Sequence, residues 1–296
     1  MRRLLVALLA AAFAAAPAAA AAKTPSIAKA PIRTVKAGQG KIGYRSVGMG
    51  RPLVMIMGLS GTMDAWAPSF VDALAKGRRV ITFDNEGIRR STHGKGAVTI
   101  RRMASNTASL IRALELKRAD VLGWSMGGMI AQSLARTHPK LVRRLVLCAT
   151  APGDAKGTLP AGDVLARLTG GTADAVGLFG LLFPPGQEAF GTAYAAQILR
   201  YPRLRPQASP ALTSEQLGAT AAWMIGQERS GLTPNKIRAR TLVGGGEQDR
   251  LLPFPNQQHL AQVIPHARLV SYPDAAHGFL FQHAAEFVPE VARFLR

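Results

Sequence analysis

The chain has 296 residues, 48% of them hydrophobic, 18% charged and 6% aromatic, which is enough apolar content for one large core and excludes a disordered polypeptide. Its formal net charge is +20, yet the basic residues fall in scattered pairs (Arg78-Arg79, Arg89-Arg90, Arg101-Arg102, Arg143-Arg144) with no long block interleaved with aromatics. No nucleic-acid partner is therefore expected, and the general positive charge predicts at most a weak contact with an anionic envelope surface.

The first 22 residues run from Arg2-Arg3 through an apolar stretch to small residues ending in Ala20-Ala21-Ala22. This is the layout of a secretory signal peptide, and export with cleavage to a periplasmic or extracellular location is the expectation. A retained anchor is disfavoured because the second half of the run is alanine interrupted by Pro17. The paired arginines leave the twin-arginine route open.

After a polar linker, short β-like runs follow at IRTVKA, KIGYRSV, PLVMIM and RRVITF, and strands and helices then alternate. Ile100, Met103, Thr107, Leu110, Ile111 and Leu114 have helical spacing. The strand ADVLG, the helix MIAQSLARTH and the strand RRLVLCAT come next. Cys148 lies in that last run and reads as a core residue, and as the sole cysteine it excludes an internal disulfide.

The rhythm breaks between Pro152 and Lys236, where only helix-like pieces occur (VLARLTGG, EAFGTAYAAQILR, SEQLGATAAWMIGQ). It resumes with RARTLVGGGEQD, NQQHLAQVI, ARLVSYP and AAEFVPEVARFLR. Alternation of this kind predicts an α/β fold with a mostly parallel sheet between helical layers. The expected organisation is a leader (1–22), a first core part (23–151), a helical lid (152–236) and a second core part (237–296).

Within GWSMGG, Ser125 stands between Gly123 and Gly127, closing a predicted strand and opening a predicted helix. A Gly-x-Ser-x-Gly match alone is weak in a chain with 30 glycines, so the context carries it. A serine on a sharp strand-to-helix turn needs neighbours without side chains, and the helix N-terminus points its N–H groups at developing negative charge. A serine hydroxyl also needs a base and a carboxylate to orient that base. GGGEQDRLLP offers Asp249 just past a strand, and YPDAAHGFLF offers His277 in the loop after the last strand. Glu247 and Asp154 are the rival acids. His93, His138, His259, His266 and His283 are rival histidines whose positions suit surface or capping roles.

These three segments, in this order, resemble the α/β-hydrolase fold family, in its large group of capped esterases and lipases. The resemblance spans about Ile32 to Arg296 and implies Ser125 as nucleophile, His277 as base and Asp249 as its partner. It further implies an oxyanion hole from the N–H groups of Met126 and Leu59, the latter in MIMGLSG, where the family often has His-Gly. Glu86 and Arg89, in FDNEGIRRS, stand where the family commonly has Arg and Gly.

The implied activity is hydrolysis of a carboxylic ester with an apolar acyl or aromatic group, without cofactor or metal. Trp66, Trp124, Phe179, Phe183 and Trp223 are candidate pocket residues, although large apolar side chains near an insertion are more often core. Epoxide hydrolases and haloalkane dehalogenases carry aspartate where Ser125 stands. Perhydrolases and C–C bond hydrolases share the serine triad and stay open as alternatives, as does a non-catalytic lipid- or signal-binding protein of this fold.

Overall fold

Runs such as Leu53-Val54-Met55-Ile56 and Val121-Leu122 are apolar at every position, which suits strands covered on both faces. In the computed structural model, which describes residues 25–169, 180–202 and 208–296, they form the centre of an eight-stranded sheet. The strands are β1 (Arg33–Ala37), β2 (Gly40–Val47), β3 (Arg51–Ile56), β4 (Arg78–Phe83), β5 (Ala119–Trp124), β6 (Val142–Cys148), β7 (Arg240–Gly246) and β8 (Arg268–Tyr272). Their spatial order is β1-β2-β4-β3-β5-β6-β7-β8. The β1–β2 and β2–β4 pairs are antiparallel and all others parallel.

The alternation of side chains splits the interior into two layers. Val54, Ile56, Ile81 and Val121 face helices α2 (Ile100–Ala113) and α3 (Met126–Thr137), while Leu53, Met55, Val80 and Leu122 face α1 (Pro68–Leu74) and the C-terminal helix. Helix α1, only seven residues long, is not anticipated in the sequence.

Between β6 and β7 the described residues contain α4 (Gly162–Thr169), α5 (Glu188–Ile198) and α6 (Pro210–Met224), and no strand. Phe179 and the glycines that follow α4 lie outside the described residues, as does the expected leader. Helix α6 buries the stripe Leu212, Gln216, Ala219 and Trp223, and Trp223 Nε1 donates to the Ala151 carbonyl. Glu228, just beyond α6, caps α2 by accepting from the Ile100 and Arg101 N–H groups at 2.7 and 2.9 Å. The chain closes with α7 (Pro255–Val263), the short α8 (Phe279–Gln282) and α9 (Ala284–Phe294). Among the described residues no helix is long and apolar enough to cross a membrane.

Candidate active site

The loops after β3, β4, β5, β7 and β8 converge at the carboxyl edge of the parallel strands, where α/β sheets place ligands. Ser125 is the residue between β5 and α3, with φ 59° and ψ −129°. That left-handed conformation is unusual for a residue with a Cβ, and the surroundings hold it. Ser125 N–H donates to the Cys148 carbonyl at 2.9 Å, and the Ser125 carbonyl accepts from Thr150 Oγ1 at 2.8 Å.

The flanking glycines are required sterically. A Cβ on Gly123 would land on the Gly127 carbonyl oxygen, and one on Gly127 on that of Ile56. Ser125 is half-buried, and its hydroxyl makes no hydrogen bond among the described residues.

Asp249 and His277 are both buried and directly joined, with Asp249 Oδ2 2.8 Å from His277 Nδ1. The other carboxylate oxygen, Oδ1, accepts from the N–H groups of Leu251 and Leu252 at 2.9 and 3.0 Å. Three contacts on one carboxylate fix its rotamer. Gly246, ending β7, makes room for the histidine loop, because a side chain there would strike the carbonyls of Ala275 and Ala276. Trp124 holds the loop from the other side: its Nε1 donates to the His277 carbonyl at 3.0 Å, and its ring lies 5.5 Å from the imidazole.

The turn after β3 runs Gly58-Leu59-Ser60-Gly61, closed by Gly61 N–H donating to the Gly58 carbonyl at 3.3 Å. It lies against Ser125, since a Cβ on Gly58 would sit 3.4 Å from Ser125 Oγ. Among the described residues neither the Leu59 N–H nor the Met126 N–H has an acceptor.

The loop after β4 braces this turn. Asn85 Nδ2 donates to the Met57 carbonyl at 2.9 Å, and the Met63 N–H donates to Asp84 Oδ1 at 2.8 Å. Burial pushes the Asp84 carboxyl up to about 6, against the opposing pull of the Met63 N–H and Arg89.

Two of the departures from the family pattern, Glu86 and Arg89, are accommodated in this loop. Arg89 takes the positive φ (45°) that a glycine would adopt freely, and its guanidinium bonds Asp64 at 2.6 Å. Glu86 turns inward to Arg102, the Gly94 N–H and Asn106 Nδ2.

Most of the rival residues are engaged elsewhere. Asp154 pairs with His259 at 2.8 Å, His93 with Glu215 at 3.0 Å and His283 with Asp274 at 3.0 Å, and Glu247 is exposed. Trp66 and Trp223 are fully buried. Trp66 stacks on Phe70, and Trp223 fills the space beside Gly153 and Gly231, so both read as packing residues. Phe183 and Trp124 stay close to the His277 loop, where the Gly278 N–H donates to the Leu182 carbonyl at 2.6 Å. Among the described residues, no group of three or more His, Cys, Asp or Glu side chains could hold a metal.

Sequence reasoning missed Asn85 as the brace of the turn, and it missed Gln216, whose Oε1 accepts from the Ser60 N–H at 2.8 Å. The available signal for the latter was a lone amide in the apolar stripe of α6.

An eight-stranded, mostly parallel sheet with a serine elbow after its fifth strand defines a class, and the comparisons with known proteins agree: the chain belongs to the alpha/beta hydrolase fold family, whose model matches residues 51–284. It is 31% identical over 258 or fewer residues to several curated relatives. One is the 2-hydroxymuconate semialdehyde hydrolase of Pseudomonas sp. (strain CF600), matched over 254 residues, 84% of this chain and 88% of that protein. Among solved structures, an alpha/beta hydrolase fold protein from Chitinophaga pinensis superposes with TM-score 0.80 at 29% identity, covering 92% of this chain and 99% of the other. The enol-lactonase from Burkholderia xenovorans LB400 gives TM-score 0.73 at 25% identity, covering 89% and 99%. The protein is thus an enzyme of the hydrolase class.

Proposed function

We propose that this hydrolase cleaves carboxylic esters through an acyl-enzyme. The observation that carries the reading is the buried Asp249–His277 pair at the carboxyl edge of β7 and β8, beside a serine in a left-handed elbow at the head of α3.

With Nδ1 engaged by Asp249, His277 has Nε2 left to take the Ser125 proton as Oγ attacks the ester carbonyl. The N–H groups of Leu59 and Met126 donate to the developing oxyanion, at a helix N-terminus whose dipole favours negative charge. The imidazolium, stabilised by Asp249, returns its proton to the departing alcohol. Water then enters, gives its proton to His277 and releases the acid, restoring Ser125. Among the described residues the Ser125 hydroxyl makes no hydrogen bond, and catalytic contacts of this kind commonly tighten only when substrate is bound.

The relative with a lactone substrate in its name supports an ester, since a lactone is a cyclic one. The relative named for a semialdehyde keeps C–C bond hydrolysis on the same three groups as a second reading. The substrate is proposed to carry an apolar acyl or aromatic group. Export is proposed from the leader-like sequence of residues 1–22 alone.

Hydrolysis of p-nitrophenyl esters from acetate to palmitate, by the wild type and Ser125→Ala, tests the reading. The expected result is measurable turnover with a chain-length optimum and a loss of roughly 10⁴-fold or more in the variant. Equal rates in the two proteins would reject it.

A further inference from the structure

We propose that Gln216 is a positioning residue that sets the oxyanion turn from helix α6; this rests on the ester-hydrolase reading above. In the turn Gly58-Leu59-Ser60-Gly61 the third residue, Ser60, has φ 56°. Turns of this kind ordinarily place glycine there, because a side chain disfavours the left-handed region. Ser60 has no such freedom and is held from outside. Its N–H donates to Gln216 Oε1 at 2.8 Å, and its hydroxyl lies 2.8 Å from Thr213 Oγ1. Thr213 and Gln216 are three residues apart on α6 and so share a face.

The Ser60 N–H belongs to the peptide unit that begins at the Leu59 carbonyl, so Gln216 fixes the orientation of that unit. Without the two bonds, Ser60 is free to return to a right-handed conformation. That change rotates the peptide after Leu59 and moves the Leu59 N–H relative to Ser125.

Stability alone is a poor explanation for Gln216. Its side chain is fully buried, and its Nε2 has no hydrogen-bond partner among the described residues. A buried amide satisfied at one end is a costly way to fill a stripe otherwise made of Leu212, Ala219 and Trp223. The amide does, however, supply an acceptor at the one place where the turn needs it.

The test is steady-state hydrolysis of a p-nitrophenyl ester by wild type, Ser125→Ala, Gln216→Leu, Ser60→Gly and the double variant Gln216→Leu/Ser60→Gly. Gln216→Leu is expected to lower kcat roughly 10-fold to 100-fold with KM little changed, as a misplaced oxyanion donor does. Adding Ser60→Gly is expected to restore most of that loss, because glycine holds the turn without the amide. A simple packing role for Gln216 gives no such rescue.

Thr213→Val, which removes only the hydroxyl contact, is expected to show a smaller loss that Ser60→Gly also repairs, and it serves if Gln216→Leu does not fold. Unchanged kcat in Gln216→Leu, or a loss that Ser60→Gly leaves in place, overturns the proposal. A wild type with no Ser125-dependent hydrolysis overturns instead the reading on which it rests.

Discussion

The two oxygens of Asp249 have separate duties, and that separation predicts what an amide would do in its place. Oδ1 holds the Leu251 and Leu252 N–H groups, so in Asp249→Asn the carbonyl oxygen must stay there and the NH₂ must face His277 Nδ1. The imidazole then keeps its proton on Nε2, the wrong tautomer for a base, and kcat is expected to fall roughly 10⁴-fold with the urea midpoint little changed. A loss below tenfold contradicts this use of the pair.

Asp84 makes a second prediction, of stability. Burial raises its folded-state carboxyl to about 6, above the ordinary 3.8, so the fold binds the proton more tightly than the unfolded chain. Its contribution is fully present below about pH 4 and is lost as pH rises through 6. Between pH 4 and 7 the wild type should lose about 2 kcal/mol of stability that Asp84→Asn does not. Urea unfolding of the two proteins at both pH values measures this, and parallel pH profiles would contradict it.

At the scale of elements, the elbow is where strand, turn and helix press together most closely. Gly127 packs against the end of β3, and Gly128 has no space for a side chain beside Thr150. Gly127→Ala is therefore expected to destabilise by about 1–3 kcal/mol, through forced separation of α3 from β3. A variant with unchanged thermal midpoint would show that this contact yields.

The same elements show what a sequence reveals. The central parallel strands were legible because their interiors are apolar, and the positions of Ser125, Asp249 and His277 because each falls in the loop beyond a strand-like run. Helix α1 was not, since PSFVDAL spans about two turns and offers too little periodicity to separate it from a loop. The Ser60–Gln216 contact joins residues 156 positions apart, and only the packing of α6 brings them together. Arg89 was legible as a departure from the family pattern, but its partner Asp64 was not, because that residue arrives from a different loop.

Across the whole molecule, the positive charge that looked scattered in sequence is partly gathered by the sheet. Six neighbouring strands begin at or within two residues of an arginine: Arg78 (β4), Arg51 (β3), Arg118 (β5), Arg143 and Arg144 (β6), Arg240 (β7) and Arg268 (β8). Register places Arg51 opposite Arg78 and Arg144 opposite Arg240. Among the described residues Asp120, shared by Arg78 and Arg143, and Glu290, beside Arg268, offer side-chain carboxylates to this row, while the main-chain oxygens of Phe294, Leu295 and Arg296 accept from Arg144, Arg143 and Arg51.

Burial, then the charges of Arg143, Arg240 and Arg51, lower the Arg144 guanidinium from its ordinary value. This row lies at the amino edge of the sheet, away from Ser125. Sulfate is expected to raise the thermal midpoint of the wild type more than that of Arg51→Gln/Arg240→Gln, beyond its general salting effect, by relieving the crowding. Equal gains in both proteins would contradict that.

The central claim is that Ser125 is a nucleophile activated by the Asp249–His277 pair, and a fluorophosphonate followed by peptide mass analysis tests it most directly. One adduct per chain on the peptide containing Ser125, formed in the wild type and slowed by orders of magnitude in His277→Ala, is the expected result. No adduct on Ser125, or labelling that His277→Ala leaves at the same rate, would contradict the account.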